Sequence, residues 1–585
     1  MLPARVVVVA LGVFAIASAL VPASNQPANP GPDLIGLWGT TRSFGPEIRG
    51  ELTIRRAGNG WRAEIGGTWA PVEMGGSQVR FTLAGDKGSF RGHREADGIR
   101  GHWIQPAGPV TGVAWATPVE LRPAGDGAWR GTVVPLEESM TLYVDIVAES
   151  DGKLIAVLRN PDGAYRNRRL ALAAEGSHLK FSSVNNGATV LEGDHDAKAG
   201  RILLPIPGLG TTLELTRQSR GQAVGYFPRT PAEPRYAYRP PLPERDGWRT
   251  STLSAEGFDQ ARISELVQKI FDTDPRPQTA PLIQGLLVAR RGKLVLEEYF
   301  YGFDKESRHD LRSGGKTFAS VLAGIAIDRG AKFGPQTPVY SLFPEYAGFA
   351  NPDPRKSKMT VEHLMTMTSG FACDENGDDN APGNEDKMQG QTGQPDWYKF
   401  ILDLPLSAAP GEKFAYCTGG VNLIGGVVRN ATRAWLPDFF DRYFARPLEF
   451  HRYHLNLTPT GEAYLGGGTH IRSRDALKLG QLYLDGGVWN GKRIVSKHWV
   501  DVSVAPHPMN AKGTDGYNWH TNSIKAGDRV YRQYEANGNG GQLLMVIPDL
   551  DLVVLFTAGN YGNYMVWRRF REELLPNDIL SAIKD

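Results

Sequence analysis

The sequence contains almost no cysteine and no marked excess of charge of either sign. Cys373 and Cys417 are the two cysteines in 585 residues, and they form either one disulfide or two separate buried thiols. The formal net charge is +2 and no long basic run occurs, which argues against a nucleic-acid partner. A chain of this length exceeds what one core can bury, so several domains are expected.

Long hydrophobic runs are also scarce, and the clearest one lies near the N-terminus. It follows Arg5, carries no charge, and ends at Val21-Pro22-Ala23, where small residues suit a signal peptidase. The run is shorter than the roughly 20 residues that a membrane-spanning helix needs. We expect residues 1–23 to be a secretory signal and the protein to be exported, periplasmic or secreted; an uncleaved anchor is the alternative. No cysteine for lipid attachment stands at the cut site, and no later segment is predicted to insert into a membrane.

Several familiar catalytic and metal signatures are missing. There is no Gly-x-Ser-x-Gly elbow, which argues against an α/β-hydrolase. His451 and His454 have no carboxylate or cysteine at ligand spacing, and the acidic stretch 373–387 lacks the spacing of a calcium loop. We predict no metal and no organic cofactor, and we interpret the acidic stretch as a solvated loop that overhangs a cleft.

Short runs of alternating apolar residues, separated by turn sequences such as "AGNG" and "ESDG", fill the chain up to about residue 222. Such alternation predicts antiparallel β-structure. The pattern occurs twice, which predicts two tandem all-β, barrel-like modules over 32–122 and 123–222 with a structural or docking role. The residues that correspond between the two copies are Trp38 and Trp129, Phe81 and Phe181, and Gly92 and Gly193.

A proline-rich stretch, 223–250, separates these modules from the rest, and its proline density predicts an extended linker. After it, "DQARISELVQKIFDT" has the spacing of an amphipathic helix, and "LLVARRGKLVLEEYF" and "QLLMVIPDLDLVVLF" read as hairpins. Helices between strands from both ends of the segment predict an α+β domain over 251–585.

The tetrad Ser313-x-x-Lys316 begins an apolar-periodic run, which places it at the first turn of a buried helix. Ser-x-x-Lys occurs elsewhere in the chain, but only in predicted hairpins or the tail. At a helix start, the helix dipole favours negative charge on Ser313. A lysine in a dry cleft loses part of its preference for the charged form, so Lys316 could accept the serine proton.

Three stretches, in this order, resemble the serine β-lactamase and penicillin-binding-protein superfamily: Ser313-x-x-Lys316, "PGEKFAYCTGGVNLIGGVV" and "YEANGNGGQLLMVIPDLDLVVLF". They are most similar to the class C β-lactamase-like branch, as are the connecting segments "MTVEHLMTMTSGF" and "GGGTHIRSRDALKLG". The similarity covers most of residues 250–585. It implies a β-lactamase/transpeptidase-like domain, with an antiparallel sheet flanked by helices.

The resemblance also implies roles for single residues. Ser313 would be the acylated nucleophile and Lys316 its base. Tyr416 matches the tyrosine of the Tyr-x-Asn motif, and its phenol would carry the proton between Ser313, the leaving group and water. The backbone N–H groups of Ser313 and Gln542 would form the oxyanion hole. The substrate-binding positions would be Thr418, Asn539, Gly540 and Gly541.

Two positions depart from the family pattern. Thr418 stands where asparagine is common, and Asn539 stands where β-lactamases have a cation that binds the drug's carboxylate. A charge-assisted hydrogen bond is about twice as strong as a neutral one, so an ester or amide substrate is favoured over a β-lactam. Cys417 adjoins Tyr416, and Cys373 follows a segment that borders the cleft in relatives. We therefore hypothesise a disulfide that pins the acidic stretch beside the site.

Together these observations predict an exported serine hydrolase that cleaves a small-molecule ester, amide or peptide through an acyl-enzyme. Two alternatives stay open. One is a D-amino-acid peptidase or weak β-lactamase. The other is a non-catalytic, penicillin-binding-like binder of cell-wall peptides, against which the retained Ser313, Lys316 and Tyr416 argue. The sequence carries no signal of an oligomeric state.

Overall fold

The computed structural model describes residues 32–161, 168–229, 235–507 and 515–584. The expected secretory signal lies outside these residues and stays a prediction. No helix in the described part of the chain is long and apolar enough to cross a membrane.

The strands are β1 (Gly36–Gly45), β2 (Gly50–Ala57), β3 (Gly60–Ile65), β4 (Thr68–Gly75), β5 (Gln78–Thr82), β6 (Ser89–Glu95), β7 (Gly98–Gln105), β8 (Ala114–Pro123), β9 (Trp129–Val133), β10 (Glu138–Ala148), β11 (Leu154–Arg159), β12 (Arg168–Glu175), β13 (His178–Ser183), β14 (Thr189–Asp196), β15 (Arg201–Ile206), β16 (Thr211–Arg217), β17 (Arg249–Thr250), β18 (Ile283–Arg290), β19 (Lys293–Tyr299), β20 (Arg308–Asp310), β21 (Tyr453–Leu457), β22 (Thr469–Arg472), β23 (Val488–Trp489), β24 (Lys492–Arg493), β25 (His520–Ala526), β26 (Arg529–Gly538), β27 (Gln542–Ile547) and β28 (Leu552–Ala558). The α-helices are α1 (Gln260–Phe271), α2 (Lys316–Asp328), α3 (Val361–Met365), α4 (Glu385–Gly390), α5 (Trp397–Leu402), α6 (Thr418–Thr432), α7 (Leu436–Phe440), α8 (Ser473–Leu484), α9 (Lys497–Ser503) and α10 (Tyr564–Arg569).

The N-terminal part forms two closed antiparallel barrels, as the duplicated pattern predicts. Each repeat contributes eight strands, β1 to β8 and β9 to β16. Equivalent residues occupy equivalent strands: Gly92 lies in β6 and Gly193 in β14. A Cβ at either glycine would lie 2.4 or 2.3 Å from a carbonyl oxygen of the next strand. Both positions therefore need glycine for the same reason, which supports the duplication.

The two repeats exchange their first strands. β1 pairs with β10 and β16, so it closes the barrel made of β10 to β16. β9 pairs with β2 and β8, so it closes the barrel made of β2 to β8. The predicted boundary at residues 122 and 123 divides the repeats in sequence, but it does not divide the barrels in space. Because β1 and β9 carry equivalent patterns, periodicity alone cannot say which barrel each strand closes.

The proline-rich segment is more closely packed than a spacer. Tyr226 is buried and its hydroxyl donates to Asp145 of the second barrel at 3.1 Å. Tyr238 donates to the Val295 carbonyl at 2.8 Å, and Trp248 Nε1 donates to the Arg474 carbonyl at 3.0 Å. Aromatic residues within and beside the run of prolines thus attach the described part of this segment to the domains on either side.

The C-terminal domain has a seven-stranded mixed sheet in the order β17-β19-β18-β28-β27-β26-β25. The strands come from both ends of the domain, and the predicted hairpins β18–β19 and β27–β28 are confirmed. Both faces of the central strands are buried. In β28, Val553 and Leu555 face the core that contains α2, α6 and α8, whereas Val554 and Phe556 face the core that contains α1. Burial on both faces explains the uninterrupted apolar run of this strand.

A small sheet of β20, β22 and β21 joins the first barrel to the C-terminal domain. β21 pairs with β8 from Leu455↔Ala116 to Leu457↔Ala114, so the barrel's sheet continues into the domain. His454 Nδ1 lies 2.7 Å from Thr117 Oγ1 at this junction, and both side chains are buried. His454 is therefore part of the domain junction, whereas His451 is exposed and its backbone N–H donates to Asp475 within the C-terminal domain. β20 leads directly into Ser313.

Candidate active site

Ser313 lies on a short 3₁₀ turn, Arg312–Gly315, that runs into α2. The predicted helix start is thus confirmed, with Ser313 three residues before the first α-helical position. From Lys316 to Ala326 every residue of α2 is buried. The N-terminal end of a helix surrounded by protein provides N–H groups and a positive dipole end next to the serine hydroxyl.

The residue before the nucleophile has a strained backbone. Arg312 has φ = 50°, in the left-handed region that is uncommon for residues other than glycine. Asp310 holds it there, because its Oδ1 accepts a hydrogen bond from Arg312 N at 2.8 Å and its Oδ2 lies 3.1 Å from Arg312 Nε. Strain of this kind is maintained where the surrounding structure fixes a functional group. Asp310 therefore shapes the turn that presents Ser313, while His309 stacks on Phe303.

Ser313, Lys316 and Tyr416 come together in the structure. Lys316 Nζ donates to Ser313 Oγ at 3.0 Å and to the Gly466 carbonyl at 2.7 Å. The same ammonium lies 5.0 Å from the centroid of the Tyr416 ring. The amine is therefore hydrogen-bonded to the serine hydroxyl and lies close to the Tyr416 ring.

The pKa of Lys316 departs from the sequence prediction. Burial alone lowers it, but Tyr416 and the carboxylates of Glu385 and Glu375 outweigh burial and raise the pKa above its ordinary value. The expectation that a dry cleft makes this lysine partly neutral is wrong, because the site also contains acidic groups that favour its charge. Sequence reasoning placed both glutamates in a solvated loop.

The last residues of β26 lie against the serine turn. A Cβ on Gly538 would lie 2.1 Å from the Leu311 carbonyl oxygen, so only glycine allows this approach. The backbone of Asn537 and Gly538 consequently lies beside Gly314, next to the nucleophile. β25 pairs with β26 only as far as His520↔Glu535, so this stretch of β26 extends beyond its neighbour on the serine side.

Gln542 does not occupy the predicted oxyanion position. It starts β27, one strand further from Ser313, where it pairs with Gly538. Its side-chain Nε2 donates to the Ala558 carbonyl at 2.6 Å, and its Oε1 accepts from Ala558 N at 3.3 Å. The side chain thus links β27 to β28, and the backbone of Asn537–Gly538 is the segment of the sheet adjacent to the serine.

The Asn539-Gly540-Gly541 segment also differs from its predicted role. Asn539 is exposed on the turn after β26, and its Oδ1 accepts a hydrogen bond from Gly562 N at 2.7 Å. Gly540 forms a bridge with Asn560, and Gly541 packs against Phe570. The turn is therefore structural, and the residue that reaches the cleft lies two positions earlier.

Thr418 has a different partner from the one predicted. Its backbone N–H and its hydroxyl both donate to the Glu375 carboxylate, at 3.0 and 2.6 Å, and Glu375 N donates to the Tyr416 carbonyl at 3.0 Å. Cys373 and Cys417 are joined in a disulfide beside these bonds. The first part of the acidic stretch is thus attached to the Tyr416 segment, and Thr418 is committed to Glu375 rather than to a substrate.

The cleft at the nucleophile encloses about 390 Å³, including the part open to solvent. Ser313, Lys316 and Tyr416 line it, and so do Asn518, His520 and Asn537. His520 Nδ1 lies 3.0 Å from Asp515 Oδ2. Burial lowers the pKa of His520, but the hydrogen bond and charge of Asp515 outweigh it and raise the pKa above the ordinary value. The sequence carries no signal that Asn518 and His520 line the cleft.

Glu375 provides a prediction about stability. Burial, together with the charge of Glu385, raises its pKa from 4.5 to about 7. Ionising Glu375 in the folded state is therefore unfavourable, and the penalty grows as the pH rises from 4.5 and is complete above 7. Glu375→Gln removes the penalty. At about 1.4 kcal/mol per pKa unit, we expect the variant's free energy of unfolding to exceed that of the wild type by about 3 kcal/mol at pH 8 and by little at pH 4.5.

Denaturant titrations at both pH values measure this difference. Asp353→Asn is a control that should lower the free energy of unfolding instead of raising it, because Arg355 lowers the pKa of Asp353 to about 2. That carboxylate stabilises the fold above pH 3.8, and the benefit is lost as the pH falls towards 2. A Glu375→Gln protein that is no more stable than the wild type at pH 8 would contradict the prediction.

The fold and the Ser313–Lys316–Tyr416 arrangement define a serine hydrolase of the β-lactamase type. A family model described as Beta-lactamase matches residues 279–570, and the C-terminal domain belongs to this family. The chain is 27% identical over 314 residues to the 6-aminohexanoate-dimer hydrolase of Paenarthrobacter ureafaciens, covering 50% of this chain and 76% of that protein.

Two solved structures are also similar to the chain. One is a D-stereospecific amidohydrolase from a Streptomyces species, at 16% identity and a TM-score of 0.39, over 53% of this chain and 98% of that one. The other is a family VIII carboxylesterase, at 14% identity and a TM-score of 0.40, over 52% and 92%.

Proposed function

We propose that the protein hydrolyses an ester or amide bond by transferring an acyl group first to Ser313 Oγ and then to water. The observation that carries this proposal is the 3.0 Å hydrogen bond between Lys316 Nζ and Ser313 Oγ in a cleft that Tyr416 also lines. A serine hydroxyl in contact with an amine, which is in turn oriented by a third group, is the arrangement of an activated nucleophile.

The raised pKa of Lys316 suggests how the proton moves. When Lys316 is an ammonium and Tyr416 a phenolate, transfer of one proton converts them to an amine and a phenol. The amine then accepts the Ser313 proton while Oγ forms a bond to the substrate carbonyl carbon. Collapse of the resulting tetrahedral intermediate expels the alcohol or amine, which takes up a proton from Tyr416.

The surroundings of the nucleophile support a neutral ester or amide as the substrate. Asn537, the residue of β26 that lines the cleft, is uncharged, and a charge-assisted bond to a substrate carboxylate from this strand is therefore missing. The name of the Paenarthrobacter relative, a hydrolase of a 6-aminohexanoate dimer, supports a small-molecule substrate for this chain too. The disulfide beside Tyr416 supports export to an oxidising compartment, where such bonds persist.

Labelling with a fluorophosphonate tests the proposal. We expect one covalent adduct on the full-length wild type by intact mass, and none on Ser313→Ala. The same substitution should lower the hydrolysis of a nitrophenyl ester by at least about 10⁴-fold, because the nucleophile is lost.

Ser320→Ala is the matched control, since Ser320 is buried in α2, the helix that follows Ser313, and does not line the cleft. An adduct that survives Ser313→Ala would reject Ser313 as the nucleophile. A wild type that neither forms the adduct nor turns over esters, amides or β-lactams would favour the non-catalytic binder of cell-wall peptides. Turnover of D-peptides or of a cephalosporin alone would favour the peptidase or β-lactamase alternative.

A further inference from the structure

The first barrel contacts the catalytic domain through the ring of one tryptophan. Trp115 of β8 is buried, and its ring lies edge-on against the ring of His470 in β22, with 4.8 Å between the ring centroids and 85° between the ring planes. Burial lowers the pKa of His470 to about 4, so this ring is uncharged at neutral pH and packs as an aromatic ring. Neither ring lines the cleft. The contact therefore joins a barrel to a strand of the catalytic domain and not to a substrate.

Both barrels hold Trp115 in place. Its Nε1 donates to Thr111 Oγ1 at 3.0 Å. Thr111 in turn donates to the carboxylate of Glu138, from its backbone N–H at 3.1 Å and from its hydroxyl. Glu138 is buried, and its strand, β10, belongs to the second barrel. Because the indole is buried and its single donor is used, Trp115 presents a fixed surface to His470.

β22 and the residues before it contact both the serine turn and the catalytic lysine. His470 pairs with the last residue of β20, the strand that leads into the serine turn. The neighbouring Thr469 carbonyl accepts a hydrogen bond from Leu311 N at 3.1 Å. Four residues before His470, the Gly466 carbonyl accepts a hydrogen bond from Lys316 Nζ at 2.7 Å. A displacement of β22 would therefore move the supports of both the serine and the amine.

We propose that Trp115 is a positioning residue of the active site, which fixes β22 and through it the geometry of Ser313 and Lys316. The inference rests on the proposed function and gives the barrels a part in the reaction. A smaller side chain at position 115 would leave a cavity beside His470, which the surrounding structure closes only in part. Because a misplacement of about 1 Å in an active site can cost about 10²-fold in rate, even a partial shift of β22 slows the reaction.

The rate at which a fluorophosphonate labels Ser313 tests the inference on the full-length protein. We expect Trp115→Leu to lower the second-order rate constant of labelling by about tenfold or more, while labelling still runs to completion. Complete but slow labelling shows a folded site with a misplaced nucleophile, whereas incomplete labelling measures unfolded protein. Trp115→Phe keeps an aromatic ring against His470 and should retain a rate constant within about threefold of the wild-type value.

Trp103→Leu is the matched control. Trp103 is an equally buried tryptophan of the first barrel, but its ring packs in the barrel core beside Phe81. Its loss should destabilise the barrel and leave the rate constant of labelling unchanged. A Trp115→Leu protein that reacts at the wild-type rate would overturn the inference. So would a Trp103→Leu protein that is slowed as much, since that result indicates a general effect of a weakened barrel.

His470→Leu removes the same contact from the catalytic domain, and it replaces Trp115→Leu as the test if that variant is labelled incompletely. It should slow labelling by a similar factor, and the double variant should be slowed little further, because both substitutions remove one contact. Effects that multiply in the double variant would show two independent residues and reject the inference. If the wild type is not labelled, the proposed function fails; if it is labelled and the variants react at its rate, this inference alone fails.

Discussion

Replacing Lys316 by methionine is expected to lower kcat/KM by at least about a thousandfold, because the amine is the only group shown within hydrogen-bond distance of Ser313 Oγ in the described part of the chain. Methionine retains most of the length and removes both the charge and the donor. Tyr416→Phe should cause a loss of similar size. The double variant should lose little more than the more damaged single variant, since a proton relay with one missing member is already interrupted.

The measurement is steady-state kinetics on a nitrophenyl ester with all variants checked for folding by circular dichroism. Lys356→Met is a suitable control, since Lys356 is also a buried lysine of this domain, and it bonds to the Ala350 and Leu402 carbonyls outside the cleft. It should affect stability more than turnover. Retention of more than a tenth of the wild-type kcat/KM by Lys316→Met would show that the ammonium is dispensable and would reject the relay.

Loss of the disulfide is expected to have the largest effect on stability. Cys373 and Cys417 are separated by 44 residues, and closing a loop of that length in the unfolded chain is worth about 4 kcal/mol. Cys373→Ala/Cys417→Ala should lower the free energy of unfolding of the catalytic domain by this amount. It should also lower kcat, because Cys417 adjoins Tyr416 and the bond holds the segment that carries Glu375.

Denaturant titration with residual activity as the probe reports on the catalytic domain rather than on the barrels. Each single alanine variant also breaks the bond, so each should lose nearly as much stability as the double variant. A double variant within 1 kcal/mol of the wild type, or two free thiols by intact mass in wild type produced in an oxidising compartment, would reject the bond as a stabilising element.

Much of the fold was predictable because it depends on local pattern. The α1 prediction is confirmed, with Ile263, Leu266, Val267 and Ile270 buried and Asp259 capping the helix. Hairpin turns were equally local, since Arg291 and Gly292 both adopt the left-handed conformation that a two-residue turn needs. The strand exchange was not predictable. It depends on which of two equivalent partners a strand finds, and hydrophobic periodicity is the same for both.

In the candidate site, too, the residues in local sequence motifs were predictable and those that depend on the folded chain were not. Ser313, Lys316 and Tyr416 lie in sequence motifs that follow one another in the family's order, and the structure brings the three residues together. The sequence predicts Asn539 at the position next to the serine, whereas the structure has Asn537 there, two residues earlier. The prediction missed this because a glycine-rich turn does not specify where the preceding strand ends. Asn518 and His520 lie on a segment without any motif. The acidity of Glu375 depends on burial and on Glu385, which are properties of the folded chain.

Because their first strands are exchanged, the two N-terminal repeats depend on each other to fold. Neither repeat can be deleted or produced alone without leaving one barrel a strand short and one strand without a barrel. During synthesis β1 emerges long before its partner, since Trp38 pairs with Val144 of the second repeat. Until then both the strand and its future neighbours expose unpaired backbone, so this half of the protein depends on slow, long-range pairing that must be completed before intermolecular pairing can compete.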